Sequence, residues 1–247
     1  MTVSLGLPSA IETTVDQFIE AAKTTFGTAL QSVVLFGSGA EQQLRATSDV
    51  NLLLVLSAYD PAVIDSLREP LRIARAAVDL KAMFVLQGEV AEALDAFAVK
   101  FSDILNRHRI VYGIDPFIGL TPSREAMLRR VRQVLLNYQI RLREQFILAN
   151  RRDEQLTRLV ADAAGPLRAS AAAILTLEDQ PAATPKRALA ALVAQFHEPD
   201  FVIVLEAMSL ARGGELLAPA SARPAVIKLM RLVTAMRERA ENLAAKA

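Results

Sequence analysis

The chain lacks several residue types that would point to particular kinds of site. Cysteine and tryptophan are absent from its 247 residues, and aromatic residues make up only 5%. Without cysteine there are no disulfides, thiolate zinc sites, iron–sulfur clusters or cysteine nucleophiles. An excess of charge is missing too, because 28 Lys and Arg residues offset 27 Asp and Glu residues and leave a net charge of +1. This balance argues against a nucleic-acid platform.

Long hydrophobic runs are also missing. No apolar stretch approaches the roughly 20 residues that span a bilayer, and the first ten residues contain neither Lys nor Arg. We therefore expect no signal peptide and no membrane partner. Apolar residues make up 52% of the chain and charged residues 22%, which is enough apolar material for a hydrophobic core. The composition predicts a soluble, cytoplasmic protein.

The first half of the chain alternates between helical and strand periodicity. Three short apolar runs have the composition of strands, and amphipathic segments lie around them. This alternation favours an α/β or α+β fold, with a mixed sheet of three to five strands and flanking helices. The predicted helices are Glu12–Phe26, Pro61–Ala77 and Gly88–Phe97, and the predicted strands are Ser32–Phe36, Asp49–Leu56 and Val78–Leu86.

The second half shows helical periodicity almost throughout. Thr121 or Ser123 is expected to cap a long helix, and a break is expected near Gly165-Pro166. Because each helix has only one apolar face, the helices must bury one another in an all-α bundle. We therefore predict domains at 1–120 and 121–247. Apolar positions on the last helix suit a neighbouring helix, a second copy of the chain or a protein partner.

The most informative segment is Val33–Leu56, which contains a Gly-Ser turn between two apolar runs. Gly37 and Ser38 allow the backbone to approach a phosphate closely, and a short helix predicted after them offers free N–H groups to an anion. Asp49 and Asn51 open the next strand, where a spacing of two places both side chains on one face. Such a pair of oxygen ligands suits a Mg²⁺ ion that triphosphate oxygens and water complete.

These residues resemble the signature of the polymerase-β-like nucleotidyltransferase superfamily. Gly37, Ser38, Asp49 and Asn51 match it within the segments LFGSGA and SDVNLLLVL. The segment Leu94–Phe117 and the later YQIRLREQF are similar to a bacterial group of these proteins that carries a C-terminal helical bundle. The resemblance therefore covers most of the chain.

The resemblance implies both a fold and a chemistry. The fold is a nucleotidyltransferase-like mixed sheet followed by a helical bundle. In this superfamily carboxylates hold two Mg²⁺ ions, and a nucleoside monophosphate passes from an NTP to a hydroxyl acceptor. Carried over, it implies that Gly37 and Ser38 hold the phosphates. The implied metal ligands are Asp49, Asn51 and Asp79, and the implied catalytic residues are Asp49, Asn51 and Asp103.

The sequence departs from the family pattern at the carboxylates. Asn51 stands where the second carboxylate is expected, and its amide brings no negative charge for a second divalent ion. Lys100 lies where the similar group has an acid, so Asp79 and Asp103 remain alternatives for the third carboxylate. Two functions therefore stay open. One is Mg²⁺-dependent nucleotidyl transfer, and the other is a catalytically degraded relative that binds a nucleotide or a protein partner without turnover.

Overall fold

A computed structural model describes residues 5–41, 44, 49–149, 152–182 and 184–245. The chain divides into two compact units. The first comprises Met1–Leu94 and Phe101–Thr121, and the second comprises Asp95–Lys100 and Pro122–Ala247. The short segment Asp95–Lys100 thus groups with the second unit, although it lies within the first half of the sequence.

The first unit is built around a four-stranded mixed sheet in the order β3-β2-β1-β4. Strand β1 pairs antiparallel with both β2 and β4, whereas β2 and β3 run parallel. The parallel pair needs a crossover connection, which a helix between the two strands supplies. This arrangement confirms the predicted fold class. The strands are β1 (Leu30–Phe36), β2 (Val50–Leu56), β3 (Leu80–Leu86) and β4 (His108–Gly113).

Helices cover both faces of this sheet. On one face Leu52 and Leu54 belong to a core that α1 and α2 complete, and on the other Leu53 belongs to a core with residues of α3 and α4. With both faces buried, a charged side chain is tolerated only where a strand begins or ends. The helices are α1 (Ser9–Phe26), α2 (Asp65–Val78), α3 (Val90–Ala96) and α4 (Ala98–Asn106), with 3₁₀ turns at Gly27–Ala29, Gly37–Gly39 and Gln87–Glu89.

The second helix begins later than the sequence predicts. The pattern predicted a helix from Pro61, but residues 61–64 form a turn and α2 begins at Asp65. The Asp60 carboxylate accepts the N–H of Ala62 at 2.9 Å. Such side-chain bonds to the backbone compete with helical hydrogen bonding and favour a turn.

The second unit contains six helices within the described residues. The helix break predicted near Gly165-Pro166 lies slightly earlier, at Ala163. Pro166 has no N–H to donate to the carbonyl of Asp162, so the interruption falls upstream of the proline. No described helix combines the length and apolar character needed to cross a bilayer. The helices are α5 (Arg124–Leu148), α6 (Asp153–Asp162), α7 (Ala164–Leu177), α8 (Pro185–Phe196), α9 (Pro199–Arg212) and α10 (Ala222–Ala245).

The two candidate caps of the long helix α5 are resolved in favour of Ser123. The Ser123 hydroxyl accepts the N–H of Ala126 at 3.1 Å. We expect Ser123→Ala to lower the free energy of unfolding by about 1 kcal/mol, because a first-turn amide loses its acceptor. Urea unfolding measures the change. Ser123→Asp should retain most of the stability, and Thr121→Ala should change it by less than about 0.5 kcal/mol.

Gly113 ends β4 in a conformation that only glycine fits. Its φ is +76°, and a Cβ there would lie 1.9 Å from the carbonyl oxygen of Gln31. We expect Gly113→Ala to lower the free energy of unfolding by more than about 2 kcal/mol, because backbone atoms of the neighbouring strand must move.

Gly119 provides the matched control. Its φ is +75°, but an added Cβ meets nothing within 4 Å. Gly119→Ala carries only the conformational penalty and should cost about 1 kcal/mol. Equal losses for the two variants in urea unfolding would show that the contact with Gln31 is not what requires glycine at Gly113.

Candidate functional site

The Gly-Ser turn lies directly after β1. Gly37 has a φ of +74°, and its N–H donates to the carbonyl of Arg107 at 2.9 Å. The N–H of Ala40 then closes the 3₁₀ turn onto the Gly37 carbonyl at 3.1 Å. The N–H groups of Ser38 and Gly39 have no hydrogen-bond acceptor among the residues that the structure describes. The turn therefore offers two backbone donors, as anion-binding turns do. The short helix predicted after it falls mainly on residues 42–43 and 45–48, outside the described residues.

Asn51 lies beside this turn. It is the register partner of Phe36, the last residue of β1, and it lies one position inside β2. A Cβ added at Gly37 would lie 4.0 Å from Nδ2 of Asn51. The antiparallel pairing of β1 and β2 thus brings the Gly-Ser turn close to Asn51.

A lysine lies on the other side of Asn51. In the parallel ladder Lys81 of β3 is the register partner of Asn51. Its Nζ lies 3.0 Å from Oδ2 of Asp49 and 3.4 Å from Oδ2 of Asp79. The three charged side chains are 52%, 41% and 59% exposed, respectively, so solvent and ligands reach them. An ammonium therefore bridges two of the three predicted metal ligands.

The charges around Lys81 stabilise its protonated form. The hydrogen bond that Lys81 donates to the Asp49 carboxylate raises the pKa of the Lys81 ammonium above its ordinary value, and the charges of Asp49 and Asp79 add to the increase. Partial desolvation acts in the opposite direction but is outweighed. Lys81 is thus a permanent cation at neutral pH.

Asp79 lies between α2 and β3 in a left-handed conformation. Its φ is +47°, and its N–H donates to the carbonyl of Ala74 at the end of α2. This corrects the predicted start of the third strand at Val78, because Val78 still belongs to the helix and β3 begins at Leu80. The left-handed residue reverses the chain and places the Asp79 carboxylate next to Lys81.

Asp103 lies in a different charged cluster. Its carboxylate accepts from Nε and Nη2 of Arg107, one helical turn further along, and Nη1 of Arg107 donates to Glu41 at 3.0 Å. Burial acts to lower the pKa of Arg107, but the hydrogen bonds and charges of Asp103 and Glu41 together raise it. Since the Arg107 carbonyl also accepts the Gly37 N–H, the cluster fixes the base of the Gly-Ser turn.

The arrangement of these side chains does not fit the two-metal centre that the resemblance implies. Among the described residues, no group of three or more His, Asp or Glu side chains is placed to hold a metal ion. Asp49 and Asp79 share an ion pair with Lys81, and Asp103 is paired with Arg107. The metal role of Asp49, Asn51 and Asp79, and the catalytic role of Asp49, Asn51 and Asp103, therefore remain predictions.

Sequence reasoning missed Lys81, Arg107 and Glu41. Lys81 was detectable in principle, because a polar residue interrupts the apolar run VDLKAMFVL two positions after Asp79. Its partnership with Asn51 depends on the strand register, which the pattern alone does not reveal. The Arg107–Glu41 pair joins residues 66 positions apart and left no signal in the sequence.

Comparison with known proteins establishes the fold. No protein-family model matches the chain, and no curated protein matches it in sequence. A crystal structure of the spectinomycin adenyltransferase AAD(9) from Enterococcus faecialis, with ATP and spectinomycin, is similar with a TM-score of 0.61 and 14% identity. The similarity covers 93% of this chain and 98% of that one. The chain therefore has the nucleotidyltransferase-like fold, with a mixed sheet followed by a helical bundle.

Proposed function

We propose that the first unit binds the triphosphate of a nucleotide at the turn formed by Gly37–Gly39, and that it does so without metal-dependent nucleotidyl transfer. The observation that carries the proposal is the pair of unbonded N–H groups at Ser38 and Gly39 in a row with Asn51 and Lys81. Backbone amides and an ammonium are the donors that phosphate oxygens accept.

The strand register explains why these donors converge. Phe36, Asn51 and Lys81 are successive register partners across β1, β2 and β3. The turn begins one residue beyond Phe36. It therefore lies at the end of the sheet where β1 ends and where β2 and β3 begin. Lys81 uses its ammonium for Asp49 and Asp79 but remains half-exposed, and one N–H is left for a phosphate oxygen.

The choice of a nucleotide is supported by the fold. The similar adenyltransferase structure contains ATP together with spectinomycin. A nucleoside triphosphate is therefore the ligand that we propose first, ahead of other phosphates. The base preference is left to the experiment, which compares ATP with GTP.

The charges support the absence of turnover. Two carboxylates and one ammonium leave a net charge of −1 around Lys81, and Asn51 adds none. Metal-dependent phosphoryl chemistry needs carboxylates free to hold divalent ions. Of the two functions that the sequence left open, this favours the relative that binds nucleotide without turnover.

One observation favours the other function, transfer of a nucleoside monophosphate to a hydroxyl acceptor. The similarity to the adenyltransferase extends over nearly the whole length of both chains and thus includes the helical unit. A chain that only binds a nucleotide has no evident need for that unit, whereas a transferase needs a place for its acceptor. Mg²⁺ and an acceptor belong to this second candidate.

Nucleotide binding is tested by calorimetric titration of ATP and GTP into the wild type and Gly37→Ala. Alanine disfavours the left-handed conformation of Gly37 and shifts the Ser38 and Gly39 amides. We expect the Kd of the bound nucleotide to rise about tenfold, which corresponds to about 1.4 kcal/mol.

Gly27→Ala serves as the matched control. Gly27 has a φ of +50°, and an added Cβ there meets nothing within 4 Å. This variant carries a similar backbone penalty away from the turn and should leave the Kd unchanged. Absence of binding of either nucleotide to the wild type would reject the proposal, as would equal weakening by the two alanine variants.

Transfer is tested with α-phosphate-labelled ATP and Mg²⁺ over a panel of hydroxyl acceptors that includes spectinomycin. We expect no labelled product and no pyrophosphate release from the wild type, because the Lys81 ammonium is paired with the Asp49 and Asp79 carboxylates that a metal ion would need. Labelled product that Asn51→Ala abolishes, with the fold retained by circular dichroism, would establish the transferase instead.

A further inference from the structure

Lys81, near the start of β3, lies between two carboxylates that the resemblance implies as metal ligands. We infer that Lys81 is a tethered cation that takes the place of a divalent metal ion between Asp49 and Asp79. This inference deepens the proposed function and rests on it for its role in nucleotide binding. Its principal experiment uses a metal ion without a nucleotide. The role of Lys81 can therefore be rejected independently of the proposed nucleotide binding.

The geometry around Lys81 is that of a cation in a carboxylate site. Its Nζ lies 3.0 Å from Oδ2 of Asp49 and 3.4 Å from Oδ2 of Asp79, so one atom serves two carboxylates from different segments of the chain. Asp49 precedes β2, whereas Asp79 follows α2. A divalent ion bridging the same oxygens would need the position that the ammonium now holds.

The register partner of Lys81 supports the idea that an ammonium takes the place of a metal ion. Asn51, directly across the ladder from Lys81, carries no charge where the family pattern has an acid. Fewer negative charges at the site need less positive charge to neutralise them. One ammonium brings half the charge of a divalent ion, which matches a site that has lost a carboxylate.

Covalent attachment makes the lysine a strong competitor. A side chain anchored on β3 has a high effective concentration at the two carboxylates, whereas a free ion must be drawn from solution. The pairs are partly exposed, so each is individually weak. The lysine nevertheless occupies the site continuously, and a metal ion must displace it before it gains both carboxylates.

The consequence for the proposed function is that nucleotide binding does not need an added divalent ion. In a metal-dependent site, the ion joins the protein carboxylates to the phosphate oxygens. Here the Lys81 ammonium contacts the carboxylates and has an N–H free for a phosphate. Replacing Mg²⁺ by a chelator should therefore change the Kd of the nucleotide by less than about threefold, or less than about 0.7 kcal/mol.

The principal experiment titrates Mn²⁺ alone into the wild type, Lys81→Glu and Lys186→Glu, with bound metal measured by electron paramagnetic resonance. Lys81→Glu removes the resident cation and adds a carboxylate beside Asp49 and Asp79. Lys186→Glu makes the same change of charge at an exposed lysine of α8. We expect Lys81→Glu to bind Mn²⁺ at least tenfold more tightly than the other two.

Two further variants show whether Asp49 is a ligand of the Mn²⁺ site that Lys81→Glu gains, and keep the test possible if Lys81→Glu does not fold. Adding Asp49→Asn to Lys81→Glu should return the affinity to the wild-type value, because one of the bridging carboxylates is lost. Lys81→Met removes the cation without adding an acid, so Mn²⁺ should raise its melting temperature but not that of the wild type. If Lys81→Glu does not fold, the Lys81→Met comparison decides alone.

Three outcomes overturn the inference. The first is a wild type that binds Mn²⁺ as tightly as the Lys81 variants. The second is a set of folded Lys81 variants that bind no more tightly than Lys186→Glu or the wild type. The third is nucleotide binding that disappears with a chelator. Failure of all nucleotide binding together with a gained Mn²⁺ site rejects the proposed ligand but retains Lys81 as the resident cation.

Discussion

Burial of the four-stranded sheet on both faces is the constraint on which the rest of the first unit depends. Apolar side chains of β1 and β2 alternate between two helical layers, and residues such as Leu53 and Leu54 have no exposed surface. A charged group inside such a layer has no compensation. Polar chemistry is therefore confined to the strand ends, where the Gly37–Gly39 turn, Asn51 and Lys81 lie in a row. The burial of the sheet therefore determines where the candidate site lies.

The charged side chains near these strand ends form two clusters, each with one cation between two carboxylates. Lys81 joins Asp49 and Asp79, and Arg107 joins Asp103 and Glu41. The Arg107 cluster is mostly shielded from solvent and also carries the carbonyl that holds Gly37, so it contributes to the shape of the turn. The Lys81 cluster is half-exposed and accessible to a ligand. One charge network thus supports the turn and the other is open to solvent, although both consist of carboxylates around a cation.

Much of the architecture was predictable because it depends on local patterns. The alternation of strand and helix signals identified the first three strands, and the one-sided apolar stripes identified the bundle. Errors occurred where a local hydrogen bond competed with the pattern, as at Asp60, where a turn delays the start of α2. The Gly-Ser turn was predictable from its sequence motif, and its closeness to Asn51 is what the family resemblance implies. Lys81 was not, because its importance arises from β2–β3 register and not from its own neighbours in sequence.

The sequence by itself determined the fold class, the absence of thiol chemistry and the position of the Gly-Ser turn, because composition and periodicity act over short stretches of chain. Only the tertiary structure decided which charges meet. Asp49 and Lys81 are 32 residues apart, and Arg107 and Glu41 are 66 apart. Such pairs form when the sheet fixes strand order and register, and neither is encoded in a local window. The same carboxylates that the sequence marks as metal ligands are, in the folded protein, the partners of a lysine and an arginine.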